Sequence, residues 1–188
     1  MTPETFQRVL NAVKAAGYED DIEWAENLKA PTCPSDFAQE VIFVICNSGM
    51  KFTVARGIYD RVMPEVMETG KCDRVFGHRM KAAAIAHIWS HRGPLWMGYI
   101  EAKDKLAYLR TLPWIGDITK YHLAKNFGLP LAKPDVHLQR LAKTFSTTPQ
   151  ALCEDLAKAS GFKVATVDTI LWRAAALGVL DTKSGALR

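Results

Sequence analysis

Two short stretches hold the residues best placed to do chemistry. Leu112-Pro-Trp-Ile-Gly116, followed by Asp117 and Thr119, reads as a tight hairpin between two helices. About one helix further on, Lys133-Pro-Asp-Val-His137 sets a lone carboxylate, Asp135, at a helix start, with Arg140 one turn later. Free amides at a helix N-terminus hold phosphate oxygens without help from side chains. Gly116 supplies backbone that a side chain would otherwise block, and Asp117 is placed to cap the helix that follows. A lone carboxylate just beyond such a site is well placed to act on whatever the bound phosphate carries. Asp135 can also be a plain N-cap, and the two roles are compatible because capping fixes the carboxylate.

The charge pattern points the same way. Residues 1–40 hold eight acids and three bases, whereas residues 103–143 hold eight bases and three acids, within a net charge of only +4. The basic charge therefore gathers around the hairpin, where Lys120 and Lys125 add long-range attraction for a polyanion that weakens with salt. Lys120 and Lys133 also read as solvated charge. Lys51, Arg56 and Arg61 form either a second phosphate track or the charged face of an amphipathic helix.

These residues must be positioned by helices, because helical periodicity runs through almost the whole chain and strand alternation is scarce. Thr2-Pro3 opens a helix that buries Phe6, Val9, Leu10 and Val13 and stops at Gly17. Further helices are expected over Asp20–Lys29, from Ser35 to about Asn47, and over Thr53–Met63, ending before Pro64. The next span Met80–His91, closed by Gly93-Pro94, then Leu95–Ile100, Lys103–Thr111, Asp117–Phe127 and Val136–Phe145. Thr148-Pro149 opens another, and a last one covers Thr166–Leu177. The expectation is an all-α body of about ten helices, one unit over residues 1–188 with two lobes, with the helix-hairpin-helix at about 103–127 and the acidic segment at about 133–145. Trp24, Trp89, Trp96 and Trp172 read as core.

The composition sets limits. With 188 residues, 48% apolar and 23% charged, the chain is long enough for a sizeable core and is not compositionally disordered. Four scattered cysteines lack metal-ligand spacing, so no metal site and no other cofactor are expected, and reduced thiols in a cytoplasmic protein are the default. Met1-Thr-Pro-Glu lacks the features of a signal peptide, and no apolar run is long enough to span a bilayer.

In this order, Gly77-His-Arg-Met-Lys-Ala82, Leu112-Pro-x-Ile-Gly-x-x-Thr119 and Asp135-x-His137 with Arg140 resemble the helix-hairpin-helix (HhH-GPD) DNA glycosylase superfamily, which includes endonuclease III and the 8-oxoguanine glycosylases. The likeness covers roughly residues 35–180. It implies a two-lobed helical fold that grips duplex DNA, extrudes a base and acts with Asp135 as the catalytic carboxylate. Pro113, Trp114, Ile115, Gly116, Thr119, Lys120, Lys81, His137 and Arg140 are the implied DNA-binding set. His137 either packs or binds phosphate, and Arg140 is a phosphate contact or an ion-pair partner. Asn47 and Gly49 fall where the superfamily places the loop that fills the gap left by the extruded base; a helix C-cap is the alternative for Asn47. Three features depart from the pattern. Ile118 stands where lysine-dependent members carry their nucleophile, Trp114 replaces the hairpin's first glycine, and the four-cysteine cluster motif of endonuclease III is absent.

The leading expectation is a monofunctional DNA glycosylase, a hydrolase that cleaves the N-glycosidic bond of a damaged or modified base with Asp135-activated water. It would work in a DNA-associated cytoplasmic setting with no obligate protein partner. The second expectation is an amino acid:DNA transferase of the phage type, attaching an amino acid or amine to pyrophosphorylated 5-hydroxymethyluracil. The third is a non-catalytic DNA-binding module.

Overall fold

The computed structural model describes residues 1–188 as eleven helices with no strand and one isolated bridge, Leu180 to Leu187. The chain divides into two compact units, one formed by residues 31–124 and the other by residues 1–30 with 125–188. No helix is long and apolar enough to cross a membrane.

The unit of residues 31–124 is built on α3 (Pro34–Asn47), which packs against α4 (Phe52–Thr69), α5 (Arg79–Ser90) and α6 (Arg92–Glu101). Phe37, Val41, Ile42, Val44, Ile45 and Cys46 leave α3 almost no polar face, as a helix enclosed by neighbours requires. Pro34 sits in its first turn, where a missing N–H costs nothing, and the Cys33 thiol accepts from Asp36 N. α7 (Lys105–Thr111) follows, capped by Asp104 Oδ1, which takes the Ala107 amide at 2.9 Å. α8 (Thr119–Asn126) starts in this unit.

Some helix boundaries differ from expectation: the second helix stops at Glu26, three residues before Lys29. α4 does not stop before Pro64 but runs through it to Thr69, where Gly70 at φ 75° closes the last turn. An interior proline costs about 3 kcal/mol in an isolated helix. Burial of Val62, Met63 and Val66 on either side offsets that loss. α5 ends at Ser90, within a residue of expectation, but α6 starts at Arg92 rather than Leu95, so Gly93 and Pro94 lie in its first turn, where proline is tolerated.

In the other unit α11 (Val164–Ala176) is central and packs against α1 (Pro3–Ala15), α2 (Glu19–Glu26), α9 (Val136–Thr144) and α10 (Pro149–Ser160). Thr2 Oγ1 caps α1 and Thr148 Oγ1 caps α10, each followed by proline. Phe6, Val9, Leu10 and Val13 are buried as their spacing predicts. Trp24 is not core: it stands 47% exposed on α2. A pocket of about 250 Å³ in this unit, between Leu28, Leu129, Pro130 and Phe162, is apolar. Its one charged neighbour, Lys163, donates its ammonium to the Glu26 carbonyl.

Candidate functional site

The hairpin lies in the unit of residues 31–124. Leu112 and Ile115 are buried and anchor it, and the Ile115 amide closes a turn on the Leu112 carbonyl at 3.1 Å. Ile115 is therefore an anchor rather than a surface that meets DNA. Pro113 occupies the second position of the turn and Trp114 the third, at φ 66°. That is the pattern of a type II turn, which favours glycine at its third position. An L-residue is held there by contacts: Trp114 Nε1 donates to Ser48 Oγ at 3.0 Å, and the indole meets the His78 ring edge-on at 5.1 Å. Trp114 thus packs against its own unit along one edge and remains 39% exposed.

The start of α8 departs from expectation in two respects. Asp117 does not cap it. Its carboxylate takes Arg110 Nε at 3.0 Å and Lys120 Nζ at 3.5 Å, and chiefly the Arg110 bond and charge hold its carboxyl below the ordinary aspartate range. Thr119 Oγ1 accepts the Gly116 amide instead, at 2.6 Å, so that amide is already engaged. Nor does the backbone at Gly116 demand glycine, since its φ is not left-handed and an added Cβ would meet only Thr119 Oγ1 at 3.7 Å. The next three amides, of Asp117, Ile118 and Thr119, make no hydrogen bond in the chain. They form a short run of unengaged donors at a helix start, beside the half-buried Lys120.

Lys81 is not a surface cation. It is 3% exposed, and its ammonium donates to the Ser48 carbonyl at 2.7 Å. Burial pulls its pKa down, the adjacent Cys46 opposes that, and burial pushes the Cys46 thiol up to about 12. Lys81 is a tether that fixes the end of α3. Ser48, which the sequence reading passed over, receives both Lys81 and Trp114 and so ties the Asn47-Ser48-Gly49 loop to the hairpin. Asn47 is the last residue of α3, half-buried, and its carbonyl accepts the Met50 amide at 3.1 Å; Gly49 is exposed at φ 72°. On α4, Arg56 pairs with Asp60 at 3.0 Å and lies over the Tyr59 ring.

Asp135, His137 and Arg140 belong to the other unit. Asp135 is the N-cap of α9: its Oδ1 accepts the His137 and Leu138 amides, both at 3.0 Å. Oδ2 makes no hydrogen bond, so one oxygen fixes the side chain and the other is open. Such a carboxylate can take a proton or polarise a water without losing its orientation. His137 is half-buried. Arg140 is exposed and forms no ion pair, which leaves its guanidinium open to an anion.

Two lysines behave differently from expectation. Lys125, expected to add long-range attraction for a polyanion, is buried instead: its ammonium lies 3.3 Å from Asp168 Oδ2 and donates to Thr169 Oγ1 at 3.4 Å. Lys133 is half-buried; burial lowers its pKa, and the neighbouring Asp135 carboxylate partly restores it. Two of the basic charges counted around the hairpin therefore do not reach solvent freely. Asp168 itself is a functional candidate with no motif to announce it. The only trace is a lone acid within the apolar stretch Val164–Leu171.

No group of three or more His, Cys, Asp or Glu side chains converges as a metal site, and all four cysteines are free. No family, curated protein or solved structure matches the chain.

Proposed function

We propose that the protein is a monofunctional DNA glycosylase of the helix-hairpin-helix kind, with the two-lobed fold of that superfamily. The observation that carries this reading is the state of Asp135, clamped by two amides through one oxygen and open at the other. In the proposed reaction the bond from the sugar C1′ to the base nitrogen breaks and the base leaves with the electron pair. Water adds to C1′ and gives its proton to Asp135 Oδ2, and the base is protonated from solvent. The negative carboxylate also stabilises the positive charge that builds on the sugar as the bond stretches.

The amides of Asp117, Ile118 and Thr119 supply donors for a phosphodiester oxygen, with Lys120 beside them and Arg140 as a further phosphate contact. Ile118, apolar and 40% exposed where related enzymes carry a lysine, supports hydrolysis rather than a covalent enzyme–sugar intermediate at this position. Extruding a base from a duplex costs a few kcal/mol, so a damaged or mispaired base is the easier substrate.

The test uses duplexes containing uracil, mismatched thymine, alkylated purines, 8-oxoguanine or pyrophosphorylated 5-hydroxymethyluracil, with and without glycine, read by nucleoside mass spectrometry. Free base and an abasic site support hydrolysis. A heavier nucleoside that needs glycine would establish group transfer instead. Binding with unchanged DNA in every duplex would leave a DNA-binding module.

A further inference from the structure

Asp135 sits at the end of a segment with little regular structure of its own. Pro130 and Pro134 remove two donors from it, and side chains of the unit's helices satisfy much of the rest. Gln150 on α10 donates to the Pro130 carbonyl at 2.9 Å and accepts the Ala132 amide at 2.8 Å. Gln139 on α9 donates to the Pro134 carbonyl at 2.6 Å. Asp168 on α11 accepts the Lys133 amide through Oδ2 at 2.8 Å, and the same oxygen faces the Lys125 ammonium at 3.3 Å.

The three residues that follow this anchor form a stiff lever. Pro134 has a fixed φ, and Lys133, preceding proline, is confined to extended conformations. The Asp135 amide then bonds back to the Lys133 carbonyl at 2.8 Å. A displacement at the Lys133 amide is therefore passed to Asp135 rather than absorbed between them. Stability alone does not explain a buried acid here. Asp168 is 2% exposed and Lys125 7% exposed, and a well-packed apolar pair of that volume is commonly as stable or more so.

We propose that Asp168 is a positioning residue: by holding the Lys133 amide it aims the open oxygen of Asp135, with Lys125 as the charge that keeps the buried carboxylate in place. This rests on the glycosylase reading of Asp135 given above. No element of it requires Asp168 or Lys125 to touch DNA.

Two double variants isolate the anchor. Lys125→Met with Asp168→Asn removes both buried charges but keeps a side-chain oxygen for the Lys133 amide. Lys125→Met with Asp168→Ala removes the charges and the acceptor together. Both are compared with wild type for folded fraction at the assay temperature, DNA affinity, kcat and KM on the duplex that wild type processes, and hydrogen exchange at the Lys133 and Asp135 amides. The asparagine variant is expected to keep kcat within about threefold of wild type, and the alanine variant to lose about 100-fold in kcat at unchanged KM and DNA affinity, the scale of a misplacement near 1 Å. Amide exchange at Lys133 and Asp135 should quicken in the alanine variant only. Equal kcat in the two variants, or a loss in the alanine variant that matches its lost folded fraction, overturns the proposal. If wild type processes no duplex, the glycosylase reading fails by itself, and amide exchange still decides the anchor: a difference between the variants upholds it and equal exchange removes it.

Discussion

Trp114 offers a quantitative test of the hairpin, because glycine should be the better residue for its backbone and the worse one for its side chain. At φ 66° an L-residue gives up about 1–2 kcal/mol, which glycine recovers, less about 0.5–1 kcal/mol for the freer unfolded chain. With 39% of its surface exposed, the indole buries about 150 Å², worth about 3 kcal/mol once some compaction of the unfolded chain is allowed for. The bond to Ser48 Oγ contributes about 1 kcal/mol and the edge-on contact with His78 about 0.5–1 kcal/mol more. Trp114→Gly is therefore expected to destabilise the protein by about 4 kcal/mol despite relieving the backbone. Trp114→Phe keeps a ring and the strain but loses the Nε1 bond, and should cost about 1 kcal/mol. Urea unfolding of the three proteins measures both differences. A glycine variant as stable as wild type would refute the reasoning, since the indole contacts would then contribute nothing beyond the strain. So would a phenylalanine variant as damaged as the glycine one.

Other expectations follow from buried and exposed charge. On the proposed reading, Lys81→Met should leave the salt dependence of DNA affinity unchanged, because the Lys81 ammonium is spent on the Ser48 carbonyl. Arg140→Ala should reduce the slope of log affinity against log salt by about one, as removal of a phosphate contact does; titrations at several salt concentrations separate the two. Stability should fall above pH 9. The folded state raises the Cys46 thiol from an ordinary 9.0 to about 12, so the unfolded chain releases that proton first and gains about 1.4 kcal/mol for each pH unit between those values. Cys72, pushed up to about 11, acts in the same sense, whereas the lowered pKa values of Lys81 and Lys133 act against it. Denaturant unfolding at pH 8 and pH 10.5 reads the net slope, and Cys46→Ala should flatten it; an unchanged slope would show that the thiol does not titrate as its burial demands.

How far the sequence carried the fold depended on whether local chemistry and tertiary packing agreed. Thr2-Pro3 and Thr148-Pro149 marked true helix starts because the cap and the proline act within one turn. Pro64 misled because its effect is also local, while the burial of Val62 and Val66 that carries α4 past it comes from other helices. Leu112, Ile115 and Gly116 were legible as a hairpin by spacing, but nothing local indicated that Trp114 would take the left-handed position, which depends on Ser48 and His78 far away in the chain. Asp135 was legible as a cap because its partners are its own next residues. Lys81 and Lys125 are not legible for the opposite reason: lysine is seldom buried, and both are buried, as Lys133 is half-buried, by partners or packing distant in the chain. Asp168 is unannounced for the same reason, since Lys125 and Lys133 lie 43 and 35 residues away from it.

The most direct measurement concerns Asp135, whose two roles can be pulled apart by substitution. Asparagine caps a helix about as well as aspartate, so Asp135→Asn should fold with stability within a few tenths of a kcal/mol of wild type, while Asp135→Ala should lose about 1 kcal/mol. If the open oxygen takes a proton in the reaction, Asp135→Asn should retain DNA affinity and lose at least about 100-fold in base release. An asparagine variant that releases base at the wild-type rate would contradict the account and leave Asp135 as a helix cap alone.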